Sequence, residues 1–144
     1  MKTFYIFKLN KEMRKISNKN PESIYMLLSS IYYHNRKDII TAFNLFDDIC
    51  LPININFFNK YTYNKLYIYD EYTKFKSIHM YNNYFTNETS KMCIYKSFIR
   101  VKSNKNENIF NNNLLEIDNL FICDFVNNYY KVSKVKNFEH WFTC

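Results

Sequence analysis

Apolar residues are dense at the start of the chain and then settle into two periods. Residues 3–9, TFYIFKL, are apolar on both faces apart from Lys8, which predicts a strand inside a sheet rather than at its rim. The run NPESIYMLLSSIYYH carries helix signals: Asn20 as cap, Pro21 in the first turn, Glu22 at the positive end, and Ile24, Leu27, Leu28 and Ile31 along one side. A second helix is predicted from about Lys37 to Ile49. Its stripe runs through Ile39, Ile40, Phe43, Phe46 and on to Cys50, before Pro52 forces Leu51 out of helical geometry. The following PININFFNKYTYNK has no clean period and reads as a long connection or a weak edge element.

The second half alternates more than it turns. An aromatic-rich stretch between Leu66 and Tyr81 predicts one or two strands, and NNYFTNETS after it reads as loop. KMCIYKSFIRVKS, residues 91–103, breaks its alternation near Lys96 and Ser97, so it is read as two short strands turning there. KNENIFNNNLLEID then sets Phe110, Leu114 and Ile117 at helical spacing, although asparagine is a poor helix former and burial has to hold such a helix. In NLFICDFVNNYYKV, alternation puts Phe121, Cys123 and Phe125 on one face and Leu120, Ile122 and Asp124 on the other. A two-residue turn at Asn127 and Asn128 sets Asp124 opposite Lys131, as an ion-pair partner, and Cys123 opposite Val132, as a small core residue. The expected fold is therefore α/β in the α+β sense: one domain over residues 1–144, a mostly antiparallel sheet with about three helices packed on it.

Composition narrows the chemistry. The 144 residues contain no glycine, which removes the phosphate-binding loop, the dinucleotide G-x-G-x-x-G and the G-x-S-x-G nucleophile elbow, each of which needs a residue without a side chain. Asn, Lys, Ile, Tyr and Phe, all spelled by A/T-rich codons, dominate instead. The net charge of +7 favours an anionic partner, but lysine drift in such a genome explains it almost as well. The densest basic stretch, KLNKEMRKISNK, sets Lys8, Lys11, Arg14, Lys15 and Lys19 against Glu12 alone, and by itself reads as a solvated loop.

Cys50, Cys93, Cys123 and Cys144 form no C-x-x-C and have no histidine at zinc-site spacing, so neither a metal nor a cofactor is expected. Adjacent strand residues point apart, which argues against Cys123 and Asp124 as a reactive pair. His34, His79 and His140 are isolated in sequence, leaving a Cys–His pair in space as the one catalytic arrangement to test. Asp47-Asp48 and Asp70-Glu71 read as a helix face and a turn. The apolar start is cut short by Lys8 and no stretch is long enough to cross a membrane, so a cytoplasmic protein with reduced thiols and no membrane partner is expected. Residues 59–76, NKYTYNKLYIYDEYTKFK, supply the alternative of a small basic nucleic-acid-binding protein: Tyr61, Tyr63, Tyr67 and Tyr69 to stack bases, lysines to neutralise phosphates.

Four segments in order carry a resemblance: FYIFKLNKEM, ICLPI, MCIYKSFIRVKSNKNENIF, and FICDFVNNYYKV with VKNF after it. Over nearly its whole length the chain resembles the sporulation inhibitor of replication (SirA) family, small proteins of spore-forming bacteria that bind the N-terminal domain of the replication initiator DnaA. The resemblance implies a non-enzymatic inhibitor of initiation. It places the contact just after the first strand, where the family carries aromatics and this chain has Met13 and Ser17, with a further contribution near the C-terminus. Lys96 and Ser97 stand where the family has a turn glycine. The surface implied centres on Met13, with Ile16 and Ser17 beside it and Lys11, Arg14 and Lys15 around them.

Overall fold

Strand β1 (Lys2–Leu9) sends Phe4 and Ile6 to one side of the sheet and Phe7 and Leu9 to the other, all of them buried. The computed structural model describes residues 1–34 and 39–133. In it β1 lies between β6 (Ile99–Ser103), with Phe4 opposite Val101, and β7 (Leu120–Asp124), with Phe7 opposite Phe121. The other strands are β2 (Cys50–Leu51), β3 (Tyr72–Phe75), β4 (Ile78–Asn83), β5 (Glu88–Ile94) and β8 (Tyr129–Val132). Every pairing is antiparallel, in the order β3-β4-β5-β6-β1-β7-β8, and β2 pairs with the end of β1 beyond the last β6 partner.

The two faces of β1 need two helical layers. On one face Phe4, Ile6, Met92, Val101 and Ile122 pack with α4 (Ile55–Leu66), through Phe58 and Leu66, and with α5 (Ile109–Leu114), through Phe110 and Leu114. On the other, Phe7, Leu9, Phe121, Cys123 and Phe125 meet α2 (Pro21–His34) and α3 (Ile39–Ile49) through Ile24, Tyr25, Leu28, Ile31 and Phe46. A third helix on this side, α1 (Lys11–Lys19), rests on the layer through Met13.

The α+β class, the interior first strand, the hairpin turning at Lys96 and Ser97 and the facing of Phe121, Cys123 and Phe125 are all as the sequence predicts. Among the described residues five helices stand where about three are expected. The basic run taken for a solvated loop is α1, a helix with too few apolar residues to show a period. The unplaced segment after Pro52 is α4, capped by Asn54, whose side chain accepts from the Phe57 amide at 3.1 Å. Its inward residues are Phe58, Thr62 and Leu66, and the aromatics on its outer side hide that stripe from view. Leu27 and Ile40, assigned to inner faces, are exposed; Lys37 lies outside the described residues.

The last hairpin is also wider than expected. Asp124 lies opposite Tyr129 and Cys123 opposite Tyr130, with four residues between the strands rather than two. The cause is Asp124 itself, which is buried and accepts from the Asn127 amide at 3.2 Å and from the Asn127 side chain at 2.7 Å, so it closes the turn and makes no pair with Lys131. Helix α2 braces that turn, since the Tyr33 hydroxyl donates to the Phe125 carbonyl at 2.7 Å and Tyr25 donates to the Asn128 side chain at 3.2 Å.

Without glycine, left-handed backbone falls to other residues. Asn87, Asn119 and Asn128 take three of the four such positions among the described residues, at φ 54°, 70° and 51°, and Lys76 takes the fourth at φ 54°. Asparagine tolerates this region best after glycine. Asn87→Ala should therefore lower stability by about 1 kcal/mol, while Asn87→Gly stays within about 0.5 kcal/mol of the parent. Urea unfolding of both variants measures the difference.

Candidate functional site

Helix α1 begins at Asn10, in extended backbone, whose side chain accepts from the Met13 amide at 2.9 Å. It ends at Asn20, whose amide donates to the Ile16 carbonyl at 2.7 Å and whose side chain in turn accepts from Ser23 at 3.4 Å to start α2. Glu12 in the first turn and Lys19 in the last complement the helix dipole. Nine residues do not hold a helix in water unaided, so these caps and the docking on α2 and β1 fix it.

The docking decides which predicted site residues reach solvent. Met13 is half-buried against the core, and Ser17 is buried at 4% exposure with no hydrogen-bond partner for its hydroxyl. Ser17 therefore faces inward with Met13, and Arg14, half-buried, holds its Nε in a buried position without a partner. Ile16 is 42% exposed and becomes the apolar centre of the outer face. Lys11, Lys15 and Lys19 are exposed and follow one another at four-residue spacing, which lines like charges along one ridge, with Lys19 and the exposed Glu12 nearest to Ile16. Of the six predicted residues, Lys11, Lys15 and Ile16 thus share a free surface, while Met13, Ser17 and part of Arg14 position the helix. The predicted contribution near the C-terminus lies outside the described residues.

No Cys–His pair forms among the residues whose side chains are described; His140 and the side chain of His34 are not among them. Burial, with Asp47 nearby, pushes the Cys50 thiol up to about 12, and burial beside Cys50 pushes Cys123 well above the ordinary thiol range, so both stay protonated. Cys93 and His79 leave adjacent strands on opposite faces. Among the described residues no three His, Cys, Asp or Glu side chains gather as a metal site, and no helix is long and apolar enough to cross a membrane.

The tyrosine–lysine stretch is likewise dispersed. Tyr61 points to α5, its hydroxyl donating to the Asn113 carbonyl at 3.2 Å and to Glu116 at 3.0 Å, while Tyr63 and Tyr67 stack on each other one turn apart. Lys65 pairs with Glu116 at 3.4 Å. Tyr61, Lys65 and Glu116 line a cleft of about 750 Å³, with Lys8, Phe57 and Asp118 also on its walls, and its charges largely answer one another. Neither known family models nor curated protein sequences match the chain.

Sequence reading missed the buried network around His79. Asn59 offers its side-chain oxygen to Nε2 at 2.8 Å, so Nε2 carries the proton and Nδ1 accepts from the Tyr72 hydroxyl at 2.6 Å; the Asn59 amide donates on to Ser77. Burial, helped by Lys74, lowers the His79 pKa to about 4. The unfolded chain binds this proton near pH 6.5, so stability from the neutral ring is complete above that pH and falls as pH drops from 6.5 toward 4, by up to about 1.4 kcal/mol per unit. Urea unfolding between about pH 7.5 and 4.5 should show wild type losing stability faster than His79→Gln, which does not titrate there.

Proposed function

We propose that this chain is a contact protein that inhibits initiation of chromosome replication during sporulation, by seating the outer face of α1 on the N-terminal domain of the replication initiator DnaA. The resemblance supplies the partner. The observation that carries the surface is Ile16, an apolar side chain held in solvent by a helix capped at both ends, with Glu12 and Lys19 next to it and Lys15 and Lys11 farther round the helix. Interfaces draw most of their energy from such a desolvated centre, while rim charges steer encounter. Because α1 is already ordered, little conformational entropy is left to lose on docking. The inhibitor performs no chemistry: it occupies the domain.

Calorimetry with the isolated initiator domain of the same organism tests this. Ile16→Glu should weaken binding at least tenfold, about 1.4 kcal/mol or more, whereas Lys15→Ala should weaken it about two- to threefold. Met13→Glu should also weaken binding, together with a loss of stability, because it undocks the helix. Wild type that does not bind the domain refutes the partner. Binding that Ile16→Glu leaves intact refutes the surface, and salt-sensitive binding of random oligonucleotides in its place favours a nucleic-acid role.

A further inference from the structure

Among the described residues, helices α1–α3 cover their face of the sheet over β1 and β7 but not over β3–β6, and the strand register shows which side chains share the remaining half. One row across the strands reads Phe75, Ile78, Cys93, Arg100, of which Cys93 is buried and Arg100 is half-buried with its guanidinium over the Tyr95 ring; the next reads Thr73, Met80, Lys91, Lys102, with Thr3 of β1 beyond. Phe75 is 69% exposed, and Ile78 and Met80 also reach solvent. Lys91 and Lys102 are exposed and directly opposite each other on neighbouring strands, an arrangement that repels. No strand residue of this face is a carboxylate; Glu71 lies at the far corner, its carbonyl accepting from Asn82.

We infer that this bare half of the sheet seats an amphipathic helix of a partner protein, with its apolar stripe on Phe75, Ile78 and Met80 and its acidic flank on Lys91, Lys102 and Arg100. The surface is separate from the outer face of α1. Three strand spacings give a width of roughly 15 Å, enough for one helix about 10 Å across. Phe75, Ile78 and Met80 stand on β3 and β4 and Lys91, Arg100 and Lys102 on β5 and β6, so an apolar half and a basic half lie side by side along the strands, as the stripe and flank of one helix do. Aliphatic Ile78 and Met80 at the centre suit a hydrophobic stripe better than stacked bases, which call for aromatic platforms on the inner strands. The chain's own residues 134–144 carry two lysines against one carboxylate and so do not supply the missing negative charge. The occupant completes the helical layer that α1–α3 begin.

Fluorescence anisotropy with the full chain tests this using an 18-residue helix-forming peptide with a leucine stripe and glutamates on its flanks, and the same peptide with lysines for glutamates. The glutamate peptide should bind at least tenfold more tightly than the lysine peptide. Lys91→Glu with Lys102→Glu should reverse that order, and Phe75→Ala, an exposed change, should weaken the glutamate peptide severalfold. Near-UV circular dichroism checks that each variant is folded, and Lys91→Ala replaces the double variant if it is not, with an expected severalfold loss. Ile16→Glu should leave peptide binding unchanged, which separates this surface from the α1 contact. Equal binding of the two peptides overturns the inference, as does tighter binding of an 18-nucleotide oligothymidylate at the same lysines. Self-association of the wild type that Phe75→Glu abolishes overturns it in favour of a second copy on this face.

Discussion

Because Phe4 and Ile6 leave β1 on one side and Phe7 and Leu9 on the other, the fold has to cover the sheet twice at this strand. Each of these side chains is buried and contributes about 1.5–3 kcal/mol. An exposed pair such as Lys65–Glu116 contributes at most about 1 kcal/mol. Ordering of the chain therefore follows the apolar demand of β1: α4 and α5 answer it on one face, and α1–α3 on the other. The unpartnered half of the second face follows from the same constraint, since β3 and β4 need only one buried side and the described residues hold no further helix to place over the other.

What was legible in the sequence depended on contrast between apolar and polar positions. The first strand and α2 had it, in an unbroken run and in a helical stripe with its cap at Asn20. Helix α4 lacked it, because Phe57 and Tyr63 on its outer side are as aromatic as Phe58 within, and no local rule separates them. The register of the last hairpin failed for a different reason. A buried Asp124 closing a four-residue turn on Asn127 is a side-chain decision that the pairing rule for two-residue turns does not contain.

The candidate surface was legible as a region but not as a face. A nine-residue helix bearing one methionine and one isoleucine offers two orientations, and only its docking on α2 and β1 turns Met13 and Ser17 inward and leaves Ile16 out. The facing lysines on the open half of the sheet were invisible for another reason. Lys91 and Lys102 become neighbours through strand pairing, not through sequence.

Asn20 closes α1 with its amide and opens α2 with its side chain. A residue shared in this way ties two helices into one unit of cooperativity. If α1 undocks, α2 loses its cap and part of the cover over Phe7 and Phe121, so the local opening spreads to the layer that braces the β7–β8 turn. The basic ridge is thereby joined to the core: α1 does not fray independently, and proteases and exchanging solvent meet it as part of the folded body rather than as a loose arm.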